Sequence, residues 1–151
     1  MIRLNRLTDY AILVLARMGQ DRAILRTAPQ LALDTGVPLP TVAKILKTLA
    51  ADGLIDSHRG ATGGYALSRP AEKISMAEII SALEGPIALT LCIDGSAGHC
   101  EFETNCPTRA NWEKVNNAIR GALEDLTLAD MAAPAYPLGR RAAPLAPAAI
   151  A

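Results

Sequence analysis

The chain has 151 residues, of which 50% are hydrophobic and only 3% aromatic. This length suits one medium domain or a small domain with an extra arm, and a core of aliphatic residues and alanine favours helices. The formal net charge of zero excludes a uniformly basic coat for nucleic acid. However, residues 1–69 carry 9 Lys and Arg against 5 Asp and Glu, a net of +4, whereas residues 70–131 carry 4 against 10, a net of −6. We therefore expect phosphate contacts in the N-terminal half.

The first two predicted helices lie in this basic half. A helix is expected over residues 9–18, with Thr8 as its cap. Thr27 and Gln30 have the spacing of a capping box, in which each side chain satisfies a backbone amide of the first helical turn. They predict a second, short helix that ends at Gly36.

A third helix is predicted to begin at Pro40, which suits a first helical position, and to end at Gly53. Four aliphatic residues recur on one face of it: Val42, Ile45, Leu46 and Leu49. A short helix, a tight turn and an amphipathic helix together describe a helix-turn-helix. Thr41, Lys44 and Lys47 then face outward or lie on the flank, where they can reach base edges and phosphates.

A β-hairpin is predicted next, because two strand-like segments, 54–57 and 65–68, flank a glycine-rich tip. Arg59 and Gly60 belong to that tip, and an arginine on such a tip suits a minor groove. The expected fold class is mainly α, with residues 1–69 as a winged helix-turn-helix DNA-binding domain. The alternative is a small helical bundle with ordinary surface lysines, but the hairpin and the local positive charge favour DNA binding.

Beyond the hairpin, Ser75 and Glu78 repeat the capping-box pattern and predict a helix that stops at Gly85. Residues 87–107 have no regular pattern.

A long amphipathic helix is then predicted over residues 108–126. Its apolar stripe comprises Trp112, Val115, Ile119, Leu123 and Leu126. Residues 70–131 therefore form the second predicted region, a cysteine loop with this helix. Residues 132–151 are rich in Ala and Pro, and we expect them to be a disordered tail.

The three cysteines all fall in the irregular segment. Neither a signal peptide nor an apolar run of about 20 residues occurs, so a cytoplasmic protein without a disulfide framework is expected. Cys92, Cys100 and Cys106 have the spacing C-x7-C-x5-C. Soft thiolates in one loop suit an iron–sulfur cluster or zinc, but the C-x2–4-C pair typical of closed zinc sites is missing. Three free structural or reactive thiols are the alternative.

No catalytic constellation is recognisable in the sequence. The chain has two histidines, no nucleophile and base in a known order, and no phosphate-binding loop. The sequence therefore predicts a protein that is not an enzyme.

Several of these motifs are similar to those of the Rrf2 family of bacterial winged-helix transcriptional regulators. The similarity covers residues 1–131 and rests on segments 3–11, 59–67 and 79–85, followed by the three cysteines. Segment 83–90, together with residues 7–11, resembles most closely the branch that regulates the SUF iron–sulfur assembly system.

The resemblance implies a homodimer that binds a double-stranded DNA operator, with the helix over 108–126 crossing that of its partner. It also implies a wing arginine in the minor groove, which is Arg59 here, next to Gly60. Family members read the major groove from the start of the second helix of the helix-turn-helix, which corresponds to residues 39–44. The resemblance thereby adds Leu39 and Pro40 to the candidate DNA-binding residues. This sequence has Ala43 where some members carry a glutamate that discriminates between operators.

The resemblance further implies that the three cysteines hold an iron–sulfur cluster, of the 2Fe–2S or the 4Fe–4S type. Some members complete the site with a histidine three residues after the last cysteine, but Arg109 occupies that position here. Asp9 corresponds to an aspartate that other members supply from the second subunit, so we hypothesise that Asp9 of the partner subunit is the fourth ligand. An ordinary first-turn acid favoured by the helix dipole is the alternative for Asp9, and His99 is the rival ligand.

Together these inferences predict a homodimeric repressor of iron–sulfur assembly genes that senses through a cluster. A nitric-oxide- or redox-sensing regulator of the same family is one alternative. A non-DNA-binding iron–sulfur or thiol carrier is the other.

Overall fold

The structure, a computed structural model, describes residues 3–93 and 106–133. Within these ranges a two-stranded antiparallel hairpin, β1 and β2, follows the first three of six helices. The elements in chain order are α1 (Arg6–Gly19), α2 (Ala28–Thr35), α3 (Leu39–Ala51), β1 (Ile55–His58), β2 (Gly64–Leu67), α4 (Met76–Glu84), α5 (Arg109–Asp125) and α6 (Leu128–Ala132). The predicted mainly helical fold with a β-hairpin wing is confirmed. None of the described helices is both long and apolar enough to cross a membrane.

Helix α1 begins earlier than the sequence predicted, and the prediction that Thr8 caps it was wrong. The cap is Asn5, whose side-chain oxygen accepts a hydrogen bond of 2.9 Å from the Thr8 amide. Thr8 itself is fully buried, and its hydroxyl donates to Glu84 Oε1 at 2.6 Å. Because Glu84 lies 76 residues further along the chain, no local pattern could have predicted this bond.

The other predicted helix starts agree more closely with the structure. The capping boxes of Thr27 with Gln30 and of Ser75 with Glu78 are both formed. Helix α3 starts one residue before Pro40, because Pro38 is its N-cap. Its four predicted core residues, Val42, Ile45, Leu46 and Leu49, are all fully buried.

One face of α1 forms the centre of the hydrophobic core. Its buried apolar residues are Ala11, Val14, Leu15 and Met18. This face packs against α2, α3, α4, β2 and α6. The core therefore includes residues from both ends of the described chain, from Ala11 to Leu128.

Helix α6 was not predicted. Thr127 and Asp130 form a third capping box, and Leu128 lies in the core with 0% of its surface exposed. The chain is fixed there by two backbone hydrogen bonds of 2.8 Å, from Leu128 to Ile74 and from Met76 to Leu126. The threonine–aspartate spacing was visible in the sequence, but only the docking of Leu128 makes so short a helix stable.

The apolar stripe of α5 is present but largely uncovered. Trp112, Val115 and Leu126 are 43%, 45% and 47% exposed, whereas Leu123 packs against the core. Ala132, the first residue of the predicted tail, closes α6. The remainder of that prediction, from residue 134 onward, lies outside the described residues.

The docking of α6 can be tested with Leu128→Ala. Removing a fully buried leucine side chain from a core costs about 2–5 kcal/mol, so we expect the free energy of unfolding to fall by that amount. Met131→Ala, at an exposed position of the same helix, should change it by no more than about 0.5 kcal/mol. Denaturant titrations at one fixed protein concentration measure both, and equal effects of the two variants would contradict the docking.

Candidate DNA-binding surface and cysteine site

The solvent-facing side of α3 carries the residues predicted to contact DNA. Leu39, Pro40, Lys44 and Lys47 are exposed, and Thr41 is half-buried on the flank. Because the four core residues of α3 occupy the opposite face, this side has no packing role in the described fold. Helix α3 carries no acidic residue, so the charges on its outer face are all positive.

The turn between α2 and α3 sets the direction in which this face points. Gly36 adopts a left-handed conformation, with φ of 73°, and its amide donates to Ala32 at 2.9 Å. Side chains with a Cβ are strained in that conformation, which explains the glycine. Val37 is buried, and the Pro38 carbonyl accepts hydrogen bonds from the first turn of α3. The two helices are thereby held at a fixed angle.

The wing presents Arg59 and Gly60 at an exposed tip. Gly60 has φ of 119°, and a Cβ on Gly63 would lie 2.4 Å from the His58 carbonyl oxygen, so the tip needs glycine at both positions. Strand register runs from Ile55 opposite Leu67 to His58 opposite Gly64. The predicted hairpin is therefore confirmed, and its tip projects the Arg59 side chain into solvent.

A single residue outside the hairpin extends the wing. Arg26 pairs with Tyr65 through two backbone hydrogen bonds, of 3.0 and 2.9 Å. Gly64 permits this approach, because a Cβ there would lie 3.0 Å from the Arg26 carbonyl oxygen. At the base of the wing, Ser68 Oγ contacts the Gly53 and Leu54 carbonyls at 2.8 and 3.0 Å. The wing is thus anchored to the helical core at both ends.

Four of the nine basic residues of segment 1–69 are engaged inside the fold. Asp34 Oδ2 lies 2.9 Å from Arg17 Nε and 3.3 Å from Arg26 Nη1. Arg22 donates to the carbonyls of the wing base, and Arg69 forms an ion pair of 2.6 Å with Glu78. The basic residues that remain are Arg3, Arg6, Lys44, Lys47 and Arg59. The sequence count of positive charge did not distinguish these two groups.

Two of the three cysteines lie within the described residues. Cys92 and Cys106 are free thiols, and both are half-buried. Each lies beside a threonine hydroxyl two residues away: Thr90 Oγ1 is 3.2 Å from Cys92 Sγ, and Thr108 Oγ1 is 3.4 Å from Cys106 Sγ. Cys100 and the rival ligand His99 lie outside the described residues.

The thiol of Cys106 is more acidic than an ordinary cysteine thiol. A hydrogen bond from the Thr108 hydroxyl, with the backbone amides of Thr108 and Arg109, lowers the pKa of Cys106 below its ordinary value and outweighs the effect of burial. Cys106 lies just before the N-terminus of α5, where unpaired amides favour a negative charge. A larger fraction of thiolate, the form that binds metals, follows at neutral pH.

The predicted fourth ligand, Asp9, is accessible at the surface. Asp9 is exposed in the first turn of α1, where it lines a shallow cavity with residues 3–6. Within residues 3–93 and 106–133, no three side chains of His, Cys, Asp or Glu are grouped as a metal site. Arg109 is exposed at the start of α5. The donor chemistry of Cys92 and Cys106, thiols with adjacent hydroxyl groups, nevertheless fits an iron–sulfur cluster, in which hydrogen bonds to sulfur tune the potential.

The acidity of Cys106 can be tested with Thr108→Val, which removes the hydroxyl and keeps the shape. The pKa of Cys106 should rise toward its ordinary value, so alkylation of this thiol in the metal-free protein should slow at neutral pH. The helix should tolerate the change, since the Thr108 side chain makes no capping hydrogen bond. Thr90→Val is the matched control and should leave the alkylation of Cys106 unchanged. Identical pH profiles in all three proteins would contradict the assignment.

Comparison with known proteins identifies the family. Residues 4–134 match the model of the Rrf2 family, described as iron-dependent transcriptional regulators. The chain is 32% identical over 141 residues to an HTH-type transcriptional regulator of Mycobacterium tuberculosis, which covers 90% of this chain and 84% of the relative. It is also 32% identical over 96 residues to the regulator IscR of Escherichia coli, covering 64% and 58%.

Solved structures support the same conclusion. The chain is similar to T. potens IscR, with a TM-score of 0.64, 27% identity, and coverage of 86% of this chain and 85% of that one. It shares its fold with CymR, the global cysteine regulator of B. subtilis, with a TM-score of 0.66, 23% identity, and coverage of 87% and 97%. The named relatives are regulators rather than enzymes, as the sequence predicted. This chain belongs to the Rrf2 family of transcriptional regulators.

Proposed function

We propose that this regulator is a homodimeric, DNA-binding repressor of iron–sulfur assembly genes, and that it senses a cluster held by Cys92, Cys100 and Cys106. The observation that carries the proposal is the state of the two described thiols, which are free and lie beside threonine hydroxyls. The description of the family as iron-dependent gives it independent support.

The DNA-binding part of the proposal assigns two contact regions. Leu39, Pro40, Thr41 and Lys44 at the start of α3 enter the major groove, and Lys47 binds phosphate one turn further on. Arg59 on the wing, with Gly60 beside it, enters the neighbouring minor groove. The exposure of α3's basic face and the projection of the wing tip support this arrangement.

The dimer part of the proposal rests on α5. Trp112, Val115 and Leu126 expose nearly half of their surface, and such a stripe on a long helix is costly to leave in water. A second copy of α5, crossing the first about a twofold axis, covers the stripe with an identical one. The operator is then contacted by two copies of α3 and two wings.

The sensing part of the proposal assigns roles to the residues around the thiols. An iron–sulfur cluster supplies a redox-active centre that oxidation or iron shortage removes. Thr90 and Thr108 donate hydrogen bonds to the ligand sulfurs, and the lowered pKa of Cys106 keeps this thiol ready for a metal. Asp9 of the partner subunit is the proposed fourth ligand.

The DNA contacts can be tested by salt-dependent binding to the promoter DNA of the neighbouring genes. Lys47→Ala should weaken binding and reduce the slope of log affinity against log salt by about 1 for each copy that contacts a phosphate. Arg59→Ala should weaken binding most on sequences with a narrow, A·T-rich minor groove. Lys73→Ala, which removes an exposed charge outside α3 and the wing, is the matched control.

One result of these measurements would contradict the proposed role of α3. If Lys47→Ala and Lys73→Ala lower affinity equally, or if binding does not depend on salt, α3 is not the contact surface.

The cluster can be tested by anaerobic purification followed by absorption spectroscopy. The wild-type protein should be coloured, and Cys92→Ala, Cys100→Ala and Cys106→Ala should each be colourless or lose the colour rapidly. Asp9→Ala should alter the spectrum or shorten the lifetime of the cluster. Asp21→Ala, an exposed acid between α1 and α2, is the matched control.

Each remaining outcome decides between the proposals. A colourless wild-type protein that binds its promoter remains a regulator without a cluster. A coloured protein that does not bind DNA is a carrier instead. An unchanged cluster in Asp9→Ala removes Asp9 from the ligand set.

A further inference from the structure

Asn116 is the one described residue of α5 that is fully buried. Only 4% of its surface is exposed, whereas the apolar residues around it on α5 are open or half-covered. Both the oxygen and the nitrogen of its side-chain amide form hydrogen bonds. Asn116 Nδ2 donates to the Ile87 carbonyl at 2.9 Å, and Asn116 Oδ1 accepts from the Leu89 amide at 3.0 Å.

The two hydrogen bonds join α5 to the backbone of residues 87–89. A carboxamide offers the same donor and acceptor as a peptide group, so Asn116 pairs with this segment as a neighbouring strand would. Asparagine is a weak helix former, and burying its amide is costly unless both ends are bonded. An aliphatic residue would fill the same space but would leave the Ile87 carbonyl and the Leu89 amide without these partners.

The anchored backbone leads directly to the first cysteine. Leu89 precedes Thr90, whose carbonyl accepts a hydrogen bond of 3.0 Å from the Ile93 amide and closes a tight turn around Cys92. The hydroxyl of Thr90 contacts the sulfur of Cys92 at 3.2 Å. Only Thr90 and Leu91 thus separate Cys92 from Leu89, which Asn116 holds on α5.

The third cysteine is connected to α5 from the other side. Cys106 lies two residues before the N-cap, Thr108, and its carbonyl accepts a hydrogen bond of 3.4 Å from the Arg109 amide. Cys92 is therefore tied to the middle of α5 through Asn116, and Cys106 to its beginning through the chain itself.

We infer that Asn116 is a positioning residue that holds the backbone of residues 87–89 on α5 and thereby fixes the thiol of Cys92 relative to that of Cys106. The anchoring stands on the two hydrogen bonds alone. Its consequence for a cluster rests on the proposed function.

The anchoring can be tested in the metal-free protein. In the wild type the Leu89 amide should exchange with solvent slowly, and in Asn116→Ala it should exchange at least tenfold faster. Alkylation of Cys92 should accelerate several-fold in this variant, while that of Cys106 stays unchanged. Asn117→Ala is the matched control, because it removes the same group from the adjacent, exposed position.

Protection of the Leu31 amide, which belongs to the core helix α2, checks that each variant is folded. Should Asn116→Ala fail to fold, Asn116→Asp replaces it: this variant keeps the acceptor for Leu89 but cannot donate to Ile87, and an intermediate acceleration is expected. A Leu89 amide that exchanges rapidly in the wild type, or equally in all variants, overturns the inference.

The consequence for the cluster is tested in the anaerobically purified protein. Asn116→Ala should show the wild-type spectrum at first and lose it several-fold faster in air, while Asn117→Ala should behave as the wild type. Equal rates in the two variants overturn the positioning role. A wild-type protein without colour contradicts the proposed function instead, and the exchange and alkylation rates then still decide whether Asn116 anchors the segment.

Discussion

The burial of one face of α1 is the constraint on which the other elements depend. Ala11, Val14, Leu15 and Met18 pack against residues from α2, α3, α4, β2 and α6, so α3, the wing and α6 are all placed by the same surface. At the start of α1, the hydrogen bond between the buried Thr8 and the exposed Glu84 joins α1 to the end of α4. Glu84 ends α4 immediately before the segment that leads to Cys92. The same glutamate therefore connects α1 to the start of that segment.

Helix α5 carries two adjacent sets of residues with different surroundings. Trp112 and Val115 leave an exposed apolar stripe that suits a second subunit, whereas Asn116, one turn from Trp112, is buried against the backbone of residues 87–89. If the stripe forms the dimer contact, the cysteine segment and the subunit interface share a single rigid helix. Under the proposed function, this shared helix gives a physical route from the cysteine segment to the spacing of the two copies of α3.

The basic residues of segment 1–69 fall into two groups: some bind partners within the fold, and others are exposed at its surface. Asp34 holds Arg17 and Arg26 together, and Arg22 satisfies the carbonyls at the base of the wing. These arginines stabilise the connection between α1, α2 and the hairpin. Lys44, Lys47 and Arg59 are exposed. A charge count over residues 1–69 therefore overstates the number of positive charges that can contact a polyanion.

The sequence by itself determined whatever depends on neighbours along the chain. Helical periodicity identified the buried face of α3, the spacing of Thr27 with Gln30 and of Ser75 with Glu78 identified two helix starts, and the glycine-rich tip identified the wing. The contact residues and cluster ligands remain predictions, and Cys100 lies beyond the described residues. Only the tertiary structure decided the partners of Thr8 and Asn116 and the docking of Leu128. Each of these contacts joins residues that are far apart in the chain, and a polar side chain in the sequence does not reveal whether folding will bury it against a distant partner or leave it in water.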